Sequence, residues 1–282
     1  MRALVAVLVC VAAACGSRPT IVVGSKNFTE QLVLGELVAQ TIEAAGLPVE
    51  RRLGLGGTFV CDTALRAGQL DVYVEYTGTA LAAILKQSPE ADPARVLTRV
   101  REAYAGAGLT WTAPLGFDDT FAMVVRADAP AWTIGEAVPK APGWRAAFGY
   151  EFQQRPDGLP ALARVYGLTF KEVRTMDLGL LYRALTERQV DVVAGNATDG
   201  LIASLGLRVL TDDRRAFPPY EAVPVVRNAT LARWPALATA LARLGGALTA
   251  DEMRRLNAAV DADHRDVVGV VREFRAAHPQ AS

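Results

Sequence analysis

The sequence predicts an α/β protein built as two similar lobes with a ligand clamped in the cleft between them. Three observations lead there. Strand and helix signals alternate from residue 20 onward, the alternation restarts beyond Pro114, and one helix–strand–turn unit occurs twice. Repeated strand–helix units imply helices layered on largely parallel sheets. The repeated unit runs Ala64-Leu65, Gln69-Leu70-Asp71-Val72, Tyr76 in the first half and Ala184-Leu185, Gln189-Val190-Asp191-Val192, Asn196 in the second. Each copy is a helix, an Asp-led strand and a polar turn that opens a further helix. Both turns, Tyr76-Thr77-Gly78-Thr79 and Asn196-Ala197-Thr198-Asp199-Gly200, fall just beyond the carboxyl end of a strand, where open α/β sheets bind ligands.

The elements follow in order. Thr20 to Val23 is a β-branched run, and Gly24-Ser25-Lys26-Asn27 turns the chain. The next helix carries Leu34, Val38, Ile42 and Ala45 on one face and ends at Gly46, with Asn27 and Glu30 as a capping pair at its start. Val49 to Leu53 is a strand, Leu55-Gly56-Gly57-Thr58 a turn, and Asp71 to Glu75 a third strand. Asp92-Pro93 opens a helix with Val96, Val100 and Tyr104 facing the core. In the second half Phe121 to Arg126, Arg145 to Tyr150, Phe170 to Arg174 and Val190 to Ala194 read as strands. The helices are Thr133 to Val138, Leu159 to Tyr166, Leu178 to Arg188 and Gly200 to Leu205. A return strand, Glu221 to Arg227, precedes three helices, one opened by a Thr249-to-Glu252 capping box.

The N-terminus addresses the compartment. Met1-Arg2 precedes an apolar run, Ala3 to Ala14, too short to span ~30 Å of hydrocarbon and therefore read as a signal peptide, residues 1–14. Ala12-Ala13-Ala14-Cys15-Gly16 resembles the bacterial lipobox, with Ala12 where Leu is usual, and this implies lipidation of Cys15 and a tether over 15–19. The alternative is an ordinary cleaved signal with a coincidental cysteine. With cleavage before Cys15 and its lipidation, Cys61 would be the one free thiol left, and it reads as a small buried apolar side chain.

Bulk composition removes other classes. Lys plus Arg and Asp plus Glu balance at 30 each, so no basic stripe is available for nucleic acid. His264 and His278 both lie in the C-terminal tail, and no G-x-S-x-G elbow, P-loop or metal-spaced Cys/His cluster occurs. No enzymatic role, catalytic residue, metal or cofactor is expected, although a carboxylate such as Glu151 could act as an acid or base. A solute sensor with a separate membrane partner is a further alternative.

Seven motifs in order carry a family resemblance: Gly24-Ser25-Lys26-Asn27-Phe28-Thr29-Glu30-Gln31, Leu55-Gly56-Gly57-Thr58, Glu75-Tyr76-Thr77-Gly78-Thr79, Leu115-Gly116-Phe117-Asp118-Asp119-Thr120, Arg155-Pro156-Asp157-Gly158-Leu159, Ala197-Thr198-Asp199-Gly200 and Phe217-Pro218-Pro219-Tyr220. The chain resembles the glycine betaine/choline/carnitine-type (quaternary amine) substrate-binding proteins of ABC-type importers. The resemblance implies a two-lobed periplasmic-binding-protein fold, type II-like, closing by hinge motion. Lobe one is placed at 20–115 plus 220–282 and lobe two at 116–219. The implied partners are a small zwitterionic or cationic osmoprotectant and a membrane permease. The protein is expected to be extracytoplasmic, lipid-anchored and monomeric. A different small zwitterion on the same fold, such as ergothioneine or an amino acid, is the alternative ligand.

A quaternary ammonium offers no N–H, so aromatic faces must hold it, at about 0.5–2 kcal/mol per contact. A carboxylate on the same ligand needs Arg, Lys or helix-start N–H groups. By resemblance Tyr76, Phe121 and Tyr220 match aromatic-cage positions; Lys26, Thr79 and Arg155 face the ligand's acid end; Asp119 and Glu151 orient those groups or face the cation. Two positions depart from the common pattern. Phe121 keeps a ring but lacks the usual tyrosine hydroxyl, and Asn196 supplies an amide where a Tyr often stands. Three aromatic walls and a polar one put tight betaine binding in question, or select a ligand with a hydrogen-bonding group opposite Asn196. Phe59, after the Gly-Gly-Thr turn, reads as helix-core packing, with a restored aromatic surface as the alternative. Arg155 could instead pair with Asp157 at the surface, and Lys26 could be a solvated turn residue.

Overall fold

Two five-stranded sheets divide the chain in the computed structural model, which describes residues 19–88 and 90–278. The signal segment, Cys15 and most of the tether lie outside the described residues. The first stretch is β1 (Ile21–Lys26), α1 (Thr29–Ala44), β2 (Val49–Gly56), α2 (Thr58–Arg66), β3 (Val72–Tyr76), α3 (Thr77–Thr79, running on into a π-helical turn over 80–84), α4 (Pro93–Ala105) and β4 (Leu109–Trp111). The second is β5 (Phe121–Arg126), α5 (Ile134–Ala137), β6 (Arg145–Phe148), α6 (Tyr150–Gln154), α7 (Leu159–Tyr166), β7 (Glu172–Thr175), α8 (Leu178–Thr186), β8 (Val192–Asn196), α9 (Gly200–Ser204) and β9 (Leu207–Leu210). The chain then returns through β10 (Ala222–Arg227) and ends in α10 (Asn228–Arg233), α11 (Ala236–Ala242), α12 (Ala250–Asp261) and α13 (Val267–Ala277).

The strand orders are β2-β1-β3-β10-β4 and β7-β6-β8-β5-β9. Position by position these are the same sheet built twice, and the sequence repeat falls on the equivalent strands β3 and β8. The Asp that leads each copy does the same work. Asp71 Oδ2 accepts the Val22 N–H and Asp191 Oδ2 the Arg145 N–H, both at 2.9 Å, pinning the neighbouring parallel strand. The sheets are mixed rather than largely parallel. β10 runs antiparallel to β3 and β4, and β5 antiparallel to β8 and β9. These are the strands on which the chain enters one sheet from the other, so they arrive from the opposite direction.

Local signals explain most elements and fail at four places. Thr133 caps α5 through Glu136, and Thr249 and Glu252 form a reciprocal capping box on α12. Asn27 and Glu30 do not cap α1: Phe28 is the N-cap residue without a side-chain cap, and Glu30 turns inward to tertiary partners. The strand read as Arg145 to Tyr150 stops at Phe148, because Tyr150 already begins α6. Four helices, not three, follow β10. Phe59 on α2 is 48% exposed, so it is not core packing. Cys61 is buried, and burial pushes its thiol up to about 12, which leaves it inert.

One apolar cluster runs through α1, β1, β3, β5, β6 and β8, with separate clusters under α2 and α4 and under α8. Helices α11, α12 and α13 pack on α1, and α12 also reaches across to α9. No helix among the described residues is long and apolar enough to cross a membrane.

Candidate functional site

The carboxyl ends of the parallel strands and the starts of the antiparallel ones converge on one cavity of about 1070 Å³. Lys26 ends β1, Tyr76 ends β3 and Asn196 ends β8, while Phe121 starts β5, Tyr220 precedes β10, and Glu151 and Arg155 sit on and just after α6. This is the crevice position expected for open α/β sheets. All the predicted site residues (Lys26, Tyr76, Thr79, Asp119, Phe121, Glu151, Arg155, Asn196 and Tyr220) line it.

Each half of the wall carries one buried cation with its own counterion. Lys26 Nζ lies 2.5 Å from Glu75 Oε1, with both side chains almost fully buried. Burial raises the Glu75 carboxyl, against the pull of the Lys26 ammonium and the Tyr76 N–H. Lys26 is therefore no solvated turn residue. Arg155 does pair with Asp157, but in the interior: Nε donates to Asp157 Oδ1 at 2.9 Å and Nη2 to Oδ2 at 2.6 Å. The same Nη2 donates to Thr79 Oγ1 at 2.9 Å, and the Tyr220 hydroxyl donates to Asp157 Oδ2 at 2.8 Å. A bidentate, doubly supported pair of this kind fixes the guanidinium plane.

The rings are packed against those cations. The Lys26 ammonium stands 4.9 Å from the Tyr76 ring centre, and the Arg155 guanidinium 4.8 Å from that of Phe121. Phe121 meets Tyr220, Phe152 and Phe217 edge-on at 5.2, 5.0 and 5.7 Å. Tyr76 and Tyr220 are only 4% and 2% exposed, so they serve the core as well as the cavity wall. Gly78 allows this approach. A Cβ there would stand 2.5 Å from the Pro219 carbonyl and 2.9 Å from the Tyr220 ring.

Several residues in or behind the wall escaped sequence reasoning. Phe28 stacks on Tyr76 at 6.5 Å. Tyr182 hydrogen-bonds Asp199, whose carboxyl burial pushes up to about 6 against the Tyr182 and Asn196 donors. Glu30 sits fully behind the wall: its Oε1 accepts the Tyr76 hydroxyl at 2.6 Å, and its Oε2 accepts Asn257 Nδ2 at 3.1 Å and meets the Thr198 hydroxyl. Both Glu30 and Thr198 lie inside motifs noted in the sequence, but local capping logic claimed the first and nothing marked the second. Glu151 crowds Gly57 at the start of α2, with Oε1 2.1 Å from where a Cβ would stand. The two histidines are not among the lining residues.

A cleft between two like lobes, lined by rings and buried charges at strand ends, defines a two-lobed periplasmic-type solute-binding protein. Residues 19–277 match the family described as the substrate-binding domain of the ABC-type glycine betaine transport system, and the chain belongs to that family. It is 34% identical, over 95% of its own length and 90% of the other's, to the glycine-betaine-binding protein of Pseudomonas aeruginosa. It is 31% identical to the carnitine transport binding protein of Listeria monocytogenes, covering 92% of this chain and 86% of that one. Among solved structures, a glycine betaine/carnitine/choline ABC transporter protein superposes with a TM-score of 0.77 at 28% identity, over 93% of this chain and all of that one. Lactococcal OpuAC in its closed, glycine betaine-bound form shares the fold, with a TM-score of 0.67 at 12% identity, over 94% of this chain and 98% of that one. The protein is thus a substrate-binding component of an ABC-type importer, a role that implies a small ligand and a permease partner.

Proposed function

We propose that the cleft captures a betaine-like zwitterion or its cationic analogue: glycine betaine, choline or carnitine. One observation carries this reading. Three aromatic rings and two buried cations converge on a single cavity at the strand ends. The rings of Tyr76, Phe121 and Tyr220 suit a trimethylammonium head, which aromatic faces attract without hydrogen bonds. Lys26 and Arg155 each already face a carboxylate, so a ligand carboxylate takes the donors those pairs leave over, with the Thr79 hydroxyl beside Arg155. Glu151 adds negative charge for the cation, Asp119 lines the same wall, and Asn196 supplies an amide where a fourth ring would sit.

In this reading lobe one comprises 20–115 and 220–282, lobe two 116–219, and ligand draws them together before the closed surface docks on the permease. The protein catalyses nothing. It acts as an extracytoplasmic monomer held to the membrane through acylated Cys15. Cleavage and acylation are checked by mass spectrometry of the mature N-terminus, where a free, unacylated residue would remove the anchor. The ligand is tested by calorimetry with the three quaternary amines beside ergothioneine and ordinary amino acids. Lys in place of Arg155 should weaken glycine betaine and carnitine more than choline, and equal losses would take Arg155 away from the ligand carboxylate.

A further inference from the structure

Behind the cavity, three separate parts of the chain meet around a single hydroxyl. Thr198 Oγ1, on the turn after β8, lies within hydrogen-bonding distance of Glu30 Oε2 on α1 and 2.6 Å from Asp119 Oδ1 on the crossover between the sheets. The crossover is fixed in turn: Asp119 N donates to the carbonyl of Tyr220, just before the returning strand. A threonine hydroxyl has one hydrogen and can satisfy only one of two ionised carboxylates. Glu30 also accepts from Tyr76 and Asn257, which favours its ionised form. Asp119 Oδ1 accepts one further donor, the Thr198 N–H at 3.3 Å, against the two on Glu30, so the remaining bond runs from a protonated Asp119 to the Thr198 oxygen.

We infer that Glu30, Thr198 and Asp119 form a proton-sharing latch between the two halves of the molecule, so that drawing them together takes up a proton.

The surroundings support this assignment. Burial, the Glu30 charge and then the Asp199 charge all push the Asp119 carboxyl well above its ordinary range, and burial raises Glu30 as well. The other groups facing the pair are accounted for. Tyr76 comes from β3, with the Lys26 ammonium over its ring held by Glu75. Asp199, raised to about 6, is engaged by Tyr182 from α8. Asp261 from α12 accepts Thr29 Oγ1 at 2.5 Å, and Arg254 from α12 donates to the Ala197 carbonyl. No cation touches either carboxyl among the described contacts, so the shared proton is what neutralises one of them. α12 is seated to hold the arrangement: Asn257 Nδ2 also donates to the Thr198 carbonyl at 2.9 Å, and a Cβ on Gly200 would stand 2.2 Å from the Ala258 nitrogen.

The sign follows from linkage. The pair's raised affinity for a proton exists where the halves meet and is lost where water separates them, so closure is favoured at low pH and weakens as pH rises through the raised value. For one linked proton the affinity for ligand falls by up to about tenfold per pH unit above that point. Calorimetry of the wild-type chain with glycine betaine and with choline, in buffers of different ionisation enthalpy between about pH 6 and about pH 9, counts the protons taken up. The latch predicts uptake approaching one proton in the wild type and none in Asp119→Asn, whose amide donates to Thr198 without titrating. Asp199→Asn should keep the uptake. Glu30→Gln serves as the second variant should Asp119→Asn not fold. No uptake in the wild type, or the same uptake in Asp119→Asn, overturns the latch. Should neither ligand give heat, the ligand reading fails on its own and X-ray scattering of the ligand-free protein decides the latch. The radius of gyration should grow from about pH 6 to about pH 9 in the wild type and stay constant in Asp119→Asn. A wild-type radius that does not change overturns it.

Discussion

The turns that follow β3 and β8 are the same piece of backbone put to different uses. Thr77 N donates to the Glu221 carbonyl at 3.0 Å and Ala197 N to the Thr120 carbonyl at 2.9 Å, so both turns hang from the neighbouring antiparallel strand in the same way. Residue by residue, Tyr76 corresponds to Asn196, Gly78 to Thr198 and Thr79 to Asp199. The first turn gives the cavity a ring, a bare glycine under Tyr220 and a hydroxyl for Arg155. The second gives it an amide, a hydroxyl that ties Glu30 to Asp119, and a buried carboxylate. In the proposed reading a duplicated scaffold thus supplies recognition surface on one side and interlobe bonding on the other.

The largest expected effect breaks lobe two's half of the wall. Replacing Arg155 with Ala leaves Asp157 buried without its cation, and removing one partner of such a pair costs about 3–5 kcal/mol. The urea midpoint should fall accordingly, and an unchanged midpoint would mean that Asp157 finds another partner. Tyr76→Ala removes the ring of the first turn and should weaken glycine betaine or choline by at least about tenfold, near 1.4 kcal/mol. Tyr76→Phe keeps the ring and loses only the bond to Glu30, so the pair of variants separates recognition from support. Smaller still, Asn196→Tyr makes the second turn resemble the first. A gain of about 0.5–2 kcal/mol in choline affinity is expected from one added aromatic face. A loss instead would show that the amide itself contacts the ligand.

The smallest effect tests the shared Asp. Partial burial of Asp191 opposes its charge, but hydrogen bonds from the Arg145 side chain and N–H and from Arg126 hold its carboxyl down at about 2. A depressed carboxylate contributes stability above its ordinary value and loses it as pH falls toward the depressed one. The wild type should therefore lose a component of stability between about pH 4 and about pH 2 that Asp191→Asn has already lost, visible in acid unfolding curves.

The repeat, the strand edge and the lining residues were legible in the sequence because they rest on local pattern and short motifs. Leu159 to Tyr166 and Phe121 to Arg126 carry their periodicity within a few residues and match the observed elements end to end. What escaped is long-range. The antiparallel entry of β5 and β10 depends on where the crossovers lead, which no local signal states. Glu30 carries a capping residue's signature yet bonds Thr198, 168 positions away. Arg155 and Asp157 are two residues apart, so their pairing was foreseeable, but their burial depends on Tyr220 arriving from 63 positions downstream of Asp157.

The central claim is that rings and buried cations in one cleft hold a quaternary amine, and calorimetric titration of the chain from residue 16 onward tests it most directly. Glycine betaine, choline or carnitine should give a saturable one-site heat in the wild type. A matching thermal shift should reflect about 2.7 kcal/mol at a hundredfold excess over the dissociation constant, and both should weaken in Tyr76→Ala. No heat with any of the three, alongside saturable binding of an amino acid or ergothioneine, would contradict the claim and leave the fold serving a different solute.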